Sequence, residues 1–411
     1  IQTIADAPYA FACPGDEGDW QPIDLGGEWG GRKQYAYFRA KLTVPEDWPD
    51  QLLEVRIDAD RNFLESRSID GFPAGPEGLV FIDGKAVGGL DRAHRAIPHP
   101  FKPGRTYDVR WIWFAGRIDN RHRLSTCHLA AVDEPTERLY HHVRVARDVV
   151  NASGEESVGR ERMLRAIEAA IAALDFREHH ANSVPDEIKR DPQREMFYAS
   201  VPGAVEAFER ELAELPADPA APLVTSTGHA HIDLAWLWTT DITRQKNART
   251  FATQLRNLER YDDWVFNQSS PQAYAWLEQD SPEIFEAVRK QIDAGRWEAE
   301  GATWVEMDTN VPSGESLVRQ LLHGKRYFQQ KFDIDSKMLW LPDVFGYTAS
   351  LPQLLKLAGV ETFVTSKLSW SQYNRFPHDT FCWRGIDGSD VATTFISTPQ
   401  SNVSSSDTGW G

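Results

Sequence analysis

The stretch that decides the fold is Gly228-His229-Ala230-His231-Ile232-Asp233-Leu234-Ala235-Trp236-Leu237-Trp238. It follows an apolar run at residues 223–225, and a helical pattern comes after it, which predicts a strand, a turn and a helix. His231 and Asp233 are two residues apart, so on an extended strand end their side chains point to the same side. An imidazole and a carboxylate that project together are half of a zinc site. The alternative is a helix N-terminus, with Asp233 as its cap and His231 as a hydrogen-bonded polar residue.

A second segment favours the metal interpretation. It reads Trp340-Leu341-Pro342-Asp343-Val344-Phe345-Gly346-Tyr347 and follows a strand-like run at residues 338–340. Asp343 is therefore expected at the carboxyl end of a parallel strand, where barrel enzymes gather their catalytic residues. A lone Asp at such a place is most often a turn or cap residue. The bulky aromatic rings of Trp340 and Phe345 on either side are unusual for a solvated turn.

Together these segments resemble glycoside hydrolase family 38, the alpha-mannosidases, and its bacterial and cytosolic branch more than its secretory one. The resemblance is strongest from Gly228 to Asp387. The motifs that carry it, besides the two above, are Trp304-Val305-Glu306-Met307-Asp308, Pro312-Ser313-Gly314-Glu315-Ser316 and Trp383-Arg384-Gly385-Ile386-Asp387-Gly388.

Hydrophobic periodicity predicts three parts, at residues 1–135, 136–220 and 221–411. The first alternates with period two, as in Phe38-Arg39-Ala40-Lys41-Leu42, and Asp83-Gly84 is a hairpin signal. It is predicted to be an antiparallel β-sandwich, similar to a jelly roll. The second part has helical spacing and is predicted to be a helical connector. In the third, strands alternate with helices, which indicates a parallel α/β sheet or barrel.

The resemblance selects a barrel for the third part and implies a similar β domain ahead of it. Five or six strands are expected there, with strand-like runs at residues 223–225, 264–266, 297–302, 338–340 and 362–365. Since that is too few for a closed barrel, the interpretation is the N-terminal part of one.

The resemblance also implies the chemistry. It makes Asp343 the nucleophile of a retaining reaction and a zinc ligand beside His231 and Asp233. One zinc ion per chain would hold two sugar hydroxyls next to the reacting carbon, although cobalt or manganese would accept similar ligands. Trp236 and Phe345 would form apolar walls for a mannose residue of an oligosaccharide.

Three further residues have two interpretations each. Lys367 matches the spacing of a family cation near the nucleophile, and its alternative is a solvated surface lysine. Asp308 falls on a family motif and is expected to orient the zinc ligands or contact substrate. For Asp308 and its neighbour Glu306, a structural role at the barrel mouth is favoured over direct catalysis.

The resemblance implies an acid/base Asp and a further zinc-binding His that this sequence does not match. After His231 the only histidines are His323, within an amphipathic helical pattern, and His378, in a loop pattern. The expectation is an N-terminal portion of a longer enzyme that lacks the acid/base and one zinc ligand.

Composition bounds the partners. A net charge of −17 argues against nucleic acid and anionic membranes, because binding to either needs a basic face. Cys13, Cys127 and Cys382 are too few and too scattered for a disulfide framework, which favours a reducing cytoplasm. No apolar run approaches the ~20 residues of a membrane span. The sequence leaves the oligomeric state open, a homo-oligomer included.

Two other classes of protein are compatible with parts of the sequence. The string His229-x-His231-x-Asp233 also resembles the first-strand motif of amidohydrolase-type metal hydrolases, which need two more histidines on later strands. A non-catalytic carbohydrate-binding protein, with the sandwich as its lectin, is the second alternative, since a sandwich alone says nothing about function.

Overall fold

The computed structural model describes residues 1–4, 13–48, 51–59, 76–91, 94–117, 119, 121–176, 193–213, 226–367 and 376–396. The predicted strand at residues 223–225 and the polar tail at residues 397–411 lie outside the described residues. Sheets and helices are mixed along the chain. Among the helices that the structure describes, none has both the length and the apolarity that crossing a bilayer requires.

The N-terminal part contains two antiparallel sheets. One has five strands in the order β1-β3-β8-β5-β6, and the other has four in the order β2-β9-β4-β7. The strands are β1 (Gln2–Ile4), β2 (Glu28–Gly30), β3 (Tyr35–Thr43), β4 (Leu53–Ala59), β5 (Glu77–Ile82), β6 (Lys85–Leu90), β7 (Ala96–His99), β8 (Thr106–Phe114) and β9 (Arg121–Ala131).

The alternating sequence pattern buries one side of each sheet in a shared core. Phe38 on β3 lies opposite Trp111 on β8, and their rings stack at 5.0 Å, with Val55 of β4 in the same core. The β5–β6 turn is the predicted hairpin, because Asp83 and Gly84 both have positive φ. Apolar side chains at every second position of the strands point to one side of each sheet, and those of the two sheets pack together in this core.

Three helices follow: α1 (Glu134–Ala152), α2 (Val158–Ala173) and α3 (Gln193–Ala213). The helical spacing of Leu164, Ile167, Ile171 and Leu174 predicts a buried face of α2, and the structure confirms this face only in part. Ala166 and Ala170 are buried against α3, whereas Leu164 and Ile171 are 39% and 53% exposed. Small alanine side chains let two helices approach closely, and this displaces the larger apolar residues to the flank.

Within residues 226–367 and 376–396, the α/β part has two sheets. A parallel three-stranded sheet has the order β10-β11-β12, and a second sheet has the order β13-β14-β16-β15, in which only β15 is antiparallel to its neighbour. The strands are β10 (Gly228–His229), β11 (Phe266–Asn267), β12 (Trp297–Glu298), β13 (Met338–Leu341), β14 (Thr362–Thr365), β15 (Thr380–Arg384) and β16 (Asp390–Phe395). The helices are α4 (Thr240–Arg260), α5 (Pro271–Asp280), α6 (Pro282–Asp293), α7 (Gly314–Phe332) and α8 (Leu351–Leu357).

Helix α4 connects the two parts. Ala248 and Phe251 on one side of α4 share a core with Leu79 and Phe81 of the five-stranded sheet. Thr243, near the start of α4, lines a cavity in the α/β part. The predicted first boundary, at residue 135, falls in the first turn of α1, and the second lies outside the described residues. The three-part division stays a prediction.

Candidate metal centre

Strand ends place the polar side chains of the site. His231 and Asp233 follow β10, Gln268 follows β11, and Asp343 follows β13. These residues line one cavity of about 220 Å³. Parallel strands bring the chain segments after their carboxyl ends to one edge of a sheet, which is where α/β proteins usually bind ligands.

The structure brings the three predicted metal ligands together. His231, Asp233 and Asp343 each offer one ligand atom, and these atoms all lie within 4.8 Å of one another. Nε2 of His231 lies 3.4 Å from Oδ1 of Asp233 and 3.3 Å from Oδ2 of Asp343. Both distances exceed the ~2.7–2.9 Å of a charge-assisted hydrogen bond. Ligand atoms around a tetrahedral zinc, with bonds of ~2.0–2.1 Å, stand ~3.3–3.4 Å apart, so the spacing fits a metal better.

The other ring nitrogen of His231 has a close partner. Nδ1 lies 2.7 Å from Oε2 of Glu306, whose side chain is 13% exposed. Burial opposes protonation of His231, but the hydrogen bonds to Asp233 and Glu306 and the charges of Glu306 and Asp343 raise its pKa to about 10. Burial also raises the pKa of Glu306, against the lowering effect of His231. The pocket thus favours a positive charge at this place.

Charge counting supports a divalent ion. The cluster holds three carboxylates, those of Asp233, Glu306 and Asp343, and Nζ of Lys367 lies 2.5 Å from Oδ1 of Asp343. With an unprotonated imidazole, as a metal ligand must be, two negative charges are left without compensation. The donor set of one nitrogen and two carboxylate oxygens is one that zinc accepts.

His229 joins the sheets behind the site. Its Nδ1 donates to the carbonyl oxygen of Asn267 at 3.0 Å, and its Nε2 accepts from Nε1 of Trp340 at 3.1 Å. Burial lowers the pKa of His229 to about 4, which keeps the ring neutral and able to serve as donor and acceptor at once. This contact fixes β10 relative to β11 and β13.

The loop that carries Glu306 is held by α7. The backbone N–H of Trp304 donates to the carbonyl oxygen of Gln320 at 3.0 Å, and that of Val305 donates to its side chain, also at 3.0 Å. A Cβ on Gly324 would lie 2.4 Å from the carbonyl oxygen of Ala302, so only glycine allows this approach of helix and loop.

The predicted substrate residues are found in different surroundings. Phe345 is 74% exposed at the cavity, and its ring lies 4.8 Å from Nζ of Lys367. Trp236 is 48% exposed and packs edge-on against Trp238, while the described cavity lining does not include it. Asp308 is exposed, and its carboxylate accepts from the backbone N–H groups of Asn310 and Val311, as in a turn.

Two residues of the site were not predicted as functional. Glu306 is expected from the sequence to have a structural role at the barrel mouth, but its contact with His231 spans 75 positions and no local pattern shows it. Asn247 on α4 lines the cavity and is buried, and neither amide atom has a hydrogen-bond partner among the described residues. Buried amides normally have a partner, so Asn247 is suited to a water or a ligand hydroxyl.

The strand-end position, the polar cavity and the imidazole–carboxylate cluster define the α/β part as a domain with a candidate metal centre. Residues 222–408 match the family described as "Glycosyl hydrolases family 38 N-terminal domain". This segment therefore belongs to glycosyl hydrolase family 38, as the sequence motifs predicted.

Curated relatives extend the similarity to most of the chain. The chain is 30% identical to "Alpha-mannosidase" of Saccharomyces cerevisiae (strain ATCC 204508 / S288c) over 92% of its own length and 34% of that protein. It is also 30% identical to "Alpha-mannosidase 2C1" of Homo sapiens, over 94% and 36%. The chain thus spans about a third of the length of the curated relatives it matches.

Among solved structures, an alpha-mannosidase from Enterococcus faecalis V583 aligns with 41% of this chain and 19% of its own, at 22% identity and a TM-score of 0.35.

Proposed function

We propose that this chain supplies the metal site and the nucleophile of a zinc-dependent retaining alpha-mannosidase that acts on terminal α-mannosides. The observation that carries the proposal is the convergence of His231, Asp233 and Asp343 at distances typical of atoms around one tetrahedral ion. The names of the curated relatives support the substrate class.

His231, Asp233 and Asp343 would hold the ion, one per chain. When bound, it would supply Lewis-acid contacts to two neighbouring hydroxyls of the mannose ring and so orient the sugar. The apolar face of Phe345, which is 74% exposed at the cavity, would contact the ring. Trp236 is half exposed outside the described cavity lining and is proposed as a second apolar contact. In this arrangement His231 would bind the ion, and a carboxylate would attack the anomeric carbon.

Asp343 is proposed as the nucleophile. One of its oxygens would form a bond to the anomeric carbon while the glycosidic bond breaks and the leaving oxygen receives a proton from an acid. In retaining enzymes that acid is a second carboxyl group, about 5–5.5 Å from the nucleophile. Lys367 holds Oδ1 of Asp343, and the other oxygen faces His231, so the carboxylate orientation is fixed on both sides.

We extend the proposal to the fold and the compartment. The α/β part is proposed to be a portion of a family 38 barrel, behind a jelly-roll-like β domain. Three free cysteines are spread over the described residues, and this supports a reducing cytoplasm.

Two measurements test the proposal. Metal analysis and chelator competition on the purified chain should find one zinc, lost in His231→Ala and Asp233→Asn and kept in the control Asp308→Asn, whose carboxylate caps an exposed turn. Trapping with a fluorinated mannosyl donor in the full-length protein should label Asp343, and Asp343→Ala should abolish labelling.

Either measurement can contradict the proposal. A chain that binds no divalent ion at any of these residues removes the metal site. A label on another carboxylate removes Asp343 from the nucleophile role but leaves the metal site intact.

A further inference from the structure

We propose that Glu306 is a positioning residue that holds the His231 ring so that its Nε2, and not its Nδ1, faces Asp233 and Asp343. The inference rests on the proposed metal site and assigns a role to a carboxylate that is not one of its ligands. It concerns how the imidazole is presented to the ion, and not which atoms bind it.

The two ring nitrogens of His231 lie at different distances from their carboxylate neighbours. Nδ1 is 2.7 Å from Oε2 of Glu306, the length of a charge-assisted hydrogen bond, whereas Nε2 is 3.3–3.4 Å from its two carboxylates. An imidazole that donates Nδ1–H to a carboxylate has its lone pair on Nε2 when neutral. Ligating histidines commonly have such a partner, which fixes the tautomer and the ring orientation.

Burial makes this contact necessary for Glu306 itself. Its side chain is 13% exposed, and a buried carboxylate is unfavourable unless it is paired and hydrogen-bonded. His231 supplies the close partner, and Oγ of Ser269 donates to the other oxygen at 3.5 Å. Glu306 and His231 therefore stabilise each other before any ion is present.

The backbone around Glu306 is suited to positioning. Two hydrogen bonds from the loop to Gln320 and the close approach at Gly324 fix residues 302–305 on α7. A rigid support keeps an orienting carboxylate at its distance, which a mobile loop would not do.

The test compares Glu306→Gln with wild type in the 411-residue chain. The Gln amide can donate to Nδ1 and so favour the wrong tautomer, with the proton on Nε2. Zinc affinity, measured by competition with a chromophoric chelator, should fall by ~10–100-fold, the usual effect of losing such a partner. In the metal-free chain, the low-field ring N–H proton of His231 that a strong hydrogen bond to Glu306 produces should disappear from the NMR spectrum.

Glu300→Gln is the matched control. Glu300 lies six positions earlier, and one oxygen accepts from Ser336, Lys337 and Met338. A Gln side chain keeps that acceptor, so zinc affinity should be unchanged. Glu306→Asp keeps the charge but shortens the arm, and it should lose less affinity than Glu306→Gln.

The outcomes separate this inference from the proposed function. If wild type binds no zinc, the metal site is wrong, and the ring N–H signal still tests the contact. If wild type binds zinc and Glu306→Gln binds it equally tightly, the inference is overturned. If Glu306→Gln does not fold, the test uses Glu306→Asp. The inference is then overturned if Glu306→Asp leaves both the zinc affinity and the ring N–H signal of His231 unchanged.

Discussion

Nζ of Lys367 lies 2.5 Å from Oδ1 of Asp343, and the lysine side chain is 6% exposed against 21% for the aspartate. The sequence left two interpretations of Lys367, a cation beside the nucleophile or a solvated surface residue. The burial and the contact support the first. This ion pair places a fixed positive charge on the side of Asp343 that faces away from His231.

The first prediction concerns this pair. Lys367→Met should destabilise the metal-free chain by about 3 kcal/mol, because it leaves Asp343 without its buried partner. Zinc should then stabilise the variant more than it stabilises wild type, since the ion compensates the released charge. Thermal unfolding with and without zinc measures both effects.

Arg319→Met is the control for Lys367→Met. Arg319 pairs with Glu315 one helical turn away, and both side chains are mostly exposed, so little stability should be lost. Equal destabilisation in the two variants would contradict the buried-pair interpretation.

The second prediction concerns the contact between α4 and the five-stranded sheet. Glu77 accepts from Lys246 at 2.9 Å and from Arg249 at 3.1 Å. Burial opposes the charged form of Glu77, but the two cations lower its pKa overall. Glu77→Gln should cost about 2–3 kcal/mol in urea unfolding, because Lys246 loses its counter-charge and Arg249 keeps only the longer contact with Asp91 at 3.8 Å. Glu28→Gln, whose pair with Arg123 is exposed, should change little.

The third prediction is a pH dependence. Burial, and then the charge of Arg256, lower the pKa of His99 to about 4, and burial also lowers that of His122. Unfolded histidines take up a proton near pH 6.5, so the unfolded state binds more protons between pH 6.5 and 4. Stability should therefore fall as the pH drops through this window.

His99→Phe should flatten that decline, because Phe does not titrate and its ring can keep the edge contacts with Phe101 and Tyr107. His141→Gln, on the exposed side of α1, should retain it. An unchanged slope of the melting temperature against pH in His99→Phe would contradict the assignment.

The fourth prediction concerns Gly324. A Cβ there would lie 2.4 Å from the carbonyl oxygen of Ala302, so Gly324→Ala should destabilise by about 1–3 kcal/mol despite the better helix propensity of Ala. It should also weaken zinc binding by displacing Glu306. Gly203→Ala on α3, where nothing lies within 4 Å, should be neutral or stabilising. Equal melting temperatures for the two variants would contradict this.

Sequence reasoning succeeded where chemistry is local. The Asp83-Gly84 hairpin follows from backbone preference, and the pairing of His231 with Asp233 follows from strand geometry. Asp343 stands out because a charged residue between aromatic rings at a strand end is unusual, and the structure places its Oδ2 3.3 Å from Nε2 of His231. Its role as zinc ligand and nucleophile comes from the resemblance and stays a proposal. Each of these signals lies within a few residues.

What sequence reasoning missed depends on tertiary contacts. Glu306 reaches His231 only after the strands have assembled, and α2 buries Ala166 instead of Leu164 because of α3. The short strand β12 ends at Glu298, not at residue 302, and Ala302 has a positive φ that an extended strand does not allow. Hydrophobic periodicity shows which residues are apolar, but it does not show which element packs against them in the folded chain.

The position of α4 affects the cooperativity of unfolding, because this helix contacts both the N-terminal sheets and the α/β part. Lys246 pairs with Glu77 of the five-stranded sheet, whereas the ring of Phe251 contacts those of Tyr274 and Trp297 in the α/β part. Unfolding of either part would remove the contacts that α4 makes with that part. The two parts should therefore unfold as one cooperative unit. An ion held at the site would then slow amide exchange in β5, which contributes none of the proposed ligands, by mass action on the folded state. Amide exchange in the N-terminal sheets would thus depend on whether the metal site in the α/β part is occupied.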